Sequence, residues 1–195
     1  MEHFYKDIYG FFDYEDLYEF IVKSLPNNSH VVEIGAFKGC STAHLAVEII
    51  NSGKNIRLDV IDSWDGSDGT SKEPWADYVA DLSLGENKPH GDIFEEFKKN
   101  LQPVWHVVNP IQALSAPSAD LYKDGSLDFV FIDANHTYEG VNEDITKWRP
   151  KVKPGGFMAG HDYRKRAHWG VIRAVDEFFG KKYITVLNHC WFIKL

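Results

Sequence analysis

The run VVEIGAFKGCST, Val31 to Thr42, decides how the chain is read. An apolar strand ends in a glutamate, places two glycines within five residues and opens directly into a helix. A turn that only reversed direction would not need this arrangement. In a doubly wound fold, the loop leaving the first strand faces the ligand crevice. Gly35 and Gly39 then let the backbone approach a ligand where a side chain would obstruct it. The helix N-terminus offers free N–H groups, and Ser41 or Thr42 could cap it or bond a ligand.

The spacing selects the ligand. A dinucleotide fingerprint reads G-x-G-x-x-G, whereas this turn reads G-x-x-x-G behind Glu33. An acid there would repel a pyrophosphate and suits a cofactor with an ammonium group, such as S-adenosylmethionine. Asp62 ends the second strand, where a carboxylate accepts hydrogen bonds from both ribose hydroxyls. Taken alone, the motif also fits a tight strand-to-helix turn with a solvated glutamate.

Outward from this turn, strands and helices alternate. FFDYEDLYEFIVKSLP reads as a helix with Asp13 as N-cap, with Leu17, Phe20, Ile21 and Leu25 on one face and Pro26 as its stop. HVVEI, IRLDVID, VWHVV, LDFVFID and GGFMAGHD read as five strands. STAHLAVEIINSG, YEGVNEDITKWRP and GVIRAVDEFFG read as helices between and after them. YITVLNHCWFIKL reads as an antiparallel hairpin. The sum is an α/β fold: a doubly wound, Rossmann-like, seven-stranded and mostly parallel sheet with a reversed C-terminal strand at its edge and helices on both faces. The 195 residues suit a single domain, with residues 1–29 as a helical extension. Residues 63–102 exceed a plain βα connection and read equally as a lid or as a surface insertion.

A net charge of −8 argues against a nucleic-acid partner. No stretch is apolar enough to span a bilayer, and MEHFYKDIYG lacks the pattern of a signal peptide, so a cytoplasmic location is expected. Cys40 and Cys190 form no disulfide framework or metal spacing. The aromatic start HFYKDIYGFFDY would suit a partner surface, so a homo-oligomer is possible.

The segments VEIGAFKGCST, VIDSW, SLDFVFIDANHTYEGVNEDITKW, KPGGFMAGHDY and GVIRAVDEFF resemble class I S-adenosylmethionine-dependent methyltransferases. The resemblance is to the small-molecule O-methyltransferases that include macrocin-type sugar methyltransferases and cephalosporin-hydroxylase-like proteins. It implies that Glu33, Gly35 and Gly39 cradle the cofactor's methionine end and Asp62 its ribose, with Trp64 and Ser115 near the adenosine; Ser41, at the helix N-terminus, joins the expected cofactor-binding set. A core tryptophan and a helix-capping serine remain equally good accounts of the last two.

Methyl transfer from a sulfonium needs a positioned acceptor and a way to remove its proton. A hydroxyl can be activated by a hard divalent cation or by a nearby base. Asp133 and Asp162 end two neighbouring strands, and oxygen ligands suit Mg²⁺ or Mn²⁺. The resemblance implies a metal site of Asp133, His161 and Asp162, with His161 standing where the sugar enzymes carry an acid. That neutral nitrogen weakens the case for Mg²⁺, and His161 outside the ligand set is the alternative. His136 is implied as the general base beside Asp133. Asp133 as a turn cap, Asp162 as a loop turn and His136 as a plain hydrogen-bonding residue stay open at this point. The expected activity is O-methylation of a hydroxylated small molecule, a sugar or glycosylated metabolite first. The alternatives are a binding module of the same fold without catalysis, a nucleic-acid base methylase and a dehydrogenase. The last two fit less well, because of the acidity and the missing third glycine.

Overall fold

In the computed structural model, which describes residues 1–65, 92–164 and 169–195, period-two alternation sorts the central strands between two helical layers. The strands are β1 (His30–Ile34), β2 (Arg57–Asp62), β3 (Val108–Gln112), β4 (Leu127–Ile132), β5 (Val152–Gly160), β6 (Thr185–Leu187) and β7 (Cys190–Lys194). Their order in the sheet is β3-β2-β1-β4-β5-β7-β6. The helices are α1 (Glu15–Ser24), α2 (Cys40–Ser52), α3 (Ile93–Asn100), the single turn α4 (Ser115–Ser118), α5 (Tyr138–Trp148) and α6 (Trp169–Phe179).

Val31, Leu58, Val60, Phe129 and Phe131 pack against α1, α2 and α3 through Leu17, Leu45 and Phe97. Val32, Ile34, Ile61, Val130 and Ile132 pack on the opposite face against α5 and α6 through Val141, Ile145, Val171 and Val175. All six residues of β4 are buried, as a central parallel strand covered on both faces requires.

The strand order reverses direction between β1 and β4, which makes their C-terminal tips the crevice edge. Pairing is parallel from β3 through β5, and β7 runs antiparallel to both β5 and β6. The reversed strand therefore lies inside the sheet, not at its edge, and β6 forms the border. The third strand also differs from expectation. Gln102–Val107 is a 3₁₀ turn, and the strand is VNPIQ. The β-branched run misleads because Val104 is buried from the turn. Pro110 is tolerated because β3 is an edge strand, where one missing N–H costs no ladder bond.

The first helix begins later than expected. It starts at Glu15 with no side-chain cap, and Asp13 is engaged elsewhere. Leu17, Ile21 and Leu25 are buried, but Phe20 is 44% exposed, and Tyr18 and Val22 fill the inner face instead. Gly53 stops α2 in the left-handed conformation, as its sequence suggests. Both cysteines are buried and free. Most of the 63–102 segment lies outside the described residues. No described helix is long and apolar enough to cross a membrane.

Candidate active site

Gly35 follows β1 with φ +84°, and a Cβ there would sit 1.9 Å from the carbonyl oxygen of Asp133. Gly39 opens α2 with φ +89°, and its Cβ would press at 3.1 Å on Leu101 and Phe97. Both positions thus need glycine for backbone conformation and protein packing.

The Asp62 carboxylate ties this turn to the one after β2. Its Oδ2 accepts from the N–H groups of Ala36 (2.7 Å) and Phe37 (2.8 Å), and its Oδ1 from that of Trp64 (2.6 Å). Burial raises the Asp62 pKa, opposed by these three bonds. A carboxylate offers about four lone-pair positions. Three are taken, which leaves about one acceptor position free. The Trp64 indole N–H donates to the Phe37 carbonyl at 2.9 Å, and its ring packs on Phe94 and Phe97.

Glu33 lies away from the cavity. It is fully buried on the α1–α2 face of the sheet and accepts from the Tyr18 hydroxyl (2.8 Å) and the Thr42 hydroxyl (2.5 Å). Burial lifts its pKa to about 7, against the lowering effect of its bonds from Thr42, Ser41 and Tyr18. A direct contact with a cofactor ammonium is not what this placement provides. At the far wall, Ser115 donates to Asp144 (2.5 Å) and accepts from the Trp148 indole (3.2 Å). Burial raises Asp144 to about 7 despite that hydroxyl.

At the tips of β4 and β5 the carboxylates meet charged side chains. Asp133 and Asp162 both face His136, whose Nε2 lies 3.4 Å from Asp133 Oδ1 and 3.0 Å from Asp162 Oδ2. Tyr14 donates to Asp133 Oδ2 at 3.5 Å. Asp162 sits at φ +58°, a left-handed conformation that Asp and Asn tolerate. Arg164 pairs with its Oδ1 at 2.9 Å. The turn after β4 is organised without Asp133. Asn135 accepts from the Thr137 N–H and hydroxyl, and Thr137 caps α5 by accepting from the Gly140 N–H.

Burial works to lower the pKa of His136, but its bonds to Asp133 and Asp162 raise it to about 10. His161 is raised to about 9, with burial outweighed by Asp162 and the charge of Asp133. Burial works to raise Asp162, but the two histidines hold it well below the usual carboxylate range. Ligand atoms of Asp133, His136 and Asp162 all lie within 4.8 Å of one another, close enough to share an ion. The sequence expectation paired the two aspartates with His161. In the structure His136 lies nearer to them, and the other ring nitrogen of His161 is turned to Asp13 at 2.9 Å.

A cavity of about 780 Å³ joins the two halves. Gly35, Ser41, Asp62, Trp64 and Ser115 line it together with Asp133, His136, His161 and Asp162; Glu33 and Gly39 do not. The N-terminal segment adds Tyr9, Phe11 and Tyr14 to its wall.

A family model described as a methyltransferase domain matches residues 32–163, from β1 to just beyond Asp162. The chain belongs to this methyltransferase family. It is an S-adenosylmethionine-dependent methyltransferase of the class I, Rossmann-like fold. Among solved structures, the methyltransferase is similar to the O-methyltransferase NovP, with 18% identity and a TM-score of 0.65 over 92% of this chain and 78% of that one. It is also similar to CalS11, a calicheamicin methyltransferase, with 12% identity and a TM-score of 0.62 over 92% and 76% of the two chains. A second structure of CalS11 describes it as a TDP-rhamnose 3'-O-methyltransferase. An rRNA methylase from Streptococcus thermophilus shares the fold as well, with 12% identity and a TM-score of 0.59 over 92% and 93%. Comparison with curated protein sequences gave no match.

Sequence reasoning missed Asp13, Tyr14 and His189, which surround His161, and Asp144, which holds Ser115. Asp13 and His161 are separated by 148 residues, and no local spacing joins them.

Proposed function

We propose that this methyltransferase transfers the methyl group of S-adenosylmethionine to a hydroxyl of a small molecule, with a sugar or glycosylated metabolite as the first candidate. A divalent cation held at Asp133 and Asp162 assists. One observation carries the proposal: two carboxylates and an imidazole converge at the β4–β5 tips, on the wall of the cavity that also meets the glycine turn and Asp62. The donor set fits the ion, because two buried-side carboxylates with oxygen ligands suit a hard or borderline divalent metal. NovP and CalS11, both described as acting in methylation and one on a deoxysugar nucleotide, support the choice of acceptor. Residues 1–195 act in this reading as one catalytic domain.

When bound, S-adenosylmethionine supplies an electrophilic methyl group, and a cation supplies positive charge that makes an acceptor hydroxyl easier to deprotonate. The chain does the remaining work. The turn from Gly35 to Ser41 and the spare acceptor of Asp62 hold the methionine and ribose ends, and Trp64 and Ser115 flank the adenosine. Tyr9 and Phe11 offer aromatic faces for the acceptor. His136 receives the hydroxyl proton. With both carboxylates unneutralised it keeps its own proton up to about 10 and is no base at pH 7. Neutralising the two carboxylates releases that hold and returns the imidazole to its ordinary range.

The test uses Asp133→Ala and Asp162→Asn, the latter chosen because Asn tolerates the positive φ. Each should lower methyl transfer to a panel of hydroxylated acceptors by about 10³-fold or more. Melting temperature and S-adenosylhomocysteine affinity should be retained, and a chelator should stop the wild-type enzyme. Full activity in both variants, or in chelator, would defeat the proposal.

A further inference from the structure

We propose that Asp13, on the segment before α1, and His189, from the β6–β7 turn, hold His161 as a nitrogen ligand of the cation site and so bias the site toward Mn²⁺ over Mg²⁺. This rests on the cation reading above. The Asp13 carboxylate lies between two imidazoles, with Oδ1 2.9 Å from His161 Nε2 and Oδ2 2.7 Å from His189 Nδ1. A carboxylate only accepts, so His161 Nε2 must carry the proton of that bond. When the ring is neutral, its Nδ1 then presents a lone pair to the cavity.

That Nδ1 is 3.8 Å from Asp133 Oδ1 and 3.7 Å from Asp162 Oδ2. These separations are long for hydrogen bonds and fit donors sharing one ion. An ion about 2.1 Å from each ligand sets its neighbours roughly 3–4 Å apart. The ring has little freedom to turn away, being 8% exposed with the Tyr14 ring 5.0 Å from it. Asp13 is itself fixed: Asn188 donates to its carbonyl at 3.0 Å, and the His189 carbonyl accepts from the Tyr163 N–H at 2.8 Å. The hairpin turn thereby braces both Asp13 and the loop that carries Asp162.

A ligating histidine whose other ring N–H is held by a carboxylate is oriented and made more basic, and loss of such a partner typically weakens metal binding about 10–100-fold. Mn²⁺ shares the oxygen preference of Mg²⁺ but, as a first-row transition ion at the weak end of the Irving–Williams order, accepts an imidazole nitrogen more readily than Mg²⁺, which keeps to oxygen and water. Asp13 and His189 are positioning residues here: they act through His161 and touch neither substrate nor cofactor.

Calorimetric titration of Mn²⁺ and of Mg²⁺ into the S-adenosylhomocysteine-loaded chain tests this. Asp13→Ala should weaken Mn²⁺ about 10–100-fold and Mg²⁺ much less, so that the Mn²⁺/Mg²⁺ preference collapses. His189→Ala should give a smaller change of the same kind. Asp13→Asn, whose amide oxygen still accepts from Nε2, should recover part of the preference. S-adenosylhomocysteine affinity should not move. Unchanged Mn²⁺ affinity and preference in Asp13→Ala and His189→Ala, with binding lost in Asp133→Ala, would overturn this inference alone. A wild-type chain that binds neither ion would overturn the cation reading, and this inference with it.

Discussion

The two rims of the cavity are built by opposite means. At the β1–β2 rim, Asp62 is held by three backbone N–H groups, and glycines are fixed by packing. At the β4–β5 rim, Asp133, His136, His161 and Asp162 face one another as side chains. The first rim is a rigid scaffold whose chemistry is largely used up in holding its own shape. The second concentrates titratable groups that pair with one another, with Arg164 and with residues from distant segments. Disturbing the first should therefore cost stability, and disturbing the second should cost chemistry.

The largest effect should come from Gly35→Ala. Added bulk would meet the Asp133 carbonyl at 1.9 Å, with φ at +84°. A loss above about 4 kcal/mol in denaturant unfolding is expected, or no folded protein at all. A stable, active Gly35→Ala enzyme would break the contrast at its strongest point. On the opposite rim, His136→Ala should lower kcat about 10²–10⁴-fold while the melting temperature and S-adenosylhomocysteine affinity hold. A comparable loss of stability would place His136 with the scaffold.

A smaller effect concerns pH. Asp144 titrates near 7 in the folded protein, above its ordinary value near 3.8, because it is buried. Between those values the folded state keeps a proton that the unfolded chain has lost. Its contribution is therefore greatest at acid pH, declines as pH rises through that window, and is flat above about 7. Asp144→Asn should remove roughly 1–3 kcal/mol of that decline, read as melting temperature from pH 5 to 8. A variant with the same slope as wild type would show that Asp144 is not the group responsible. Smallest of all, Tyr18→Phe removes one of the hydrogen bonds to buried Glu33 and should cost about 1–2 kcal/mol, with kcat unchanged.

The same contrast explains what the sequence revealed. The β1–β2 rim is local: Glu33, Gly35, Gly39 and Asp62 sit within one βαβ unit, and their types and spacing announce a turn and a strand end. Yet the pattern mis-assigned Glu33, because strand alternation aims it into the α1–α2 layer with Tyr18 and Thr42. A one-dimensional motif does not say which side of the sheet a carboxylate faces. The strand-tip position of Asp133 and Asp162 was legible from the apolar runs before them. The surroundings of His161 were not. Asp13 looked like a helix cap because it precedes a helix, but a carboxylate between two imidazoles is the better-bonded arrangement, and the helix starts without it. The strand misplaced to Val104–Val108 failed for a related reason. β-branched residues signal burial, and a 3₁₀ turn against the core buries Val104 as well as a strand would.

The most direct test is a crystal of this enzyme grown with S-adenosylhomocysteine and Mn²⁺, with anomalous scattering measured at the manganese edge. The account predicts a single strong peak bonded to Asp133 and Asp162, facing the cofactor sulfur across the cavity. Cofactor bound at the glycine turn with no peak between those two carboxylates would contradict it.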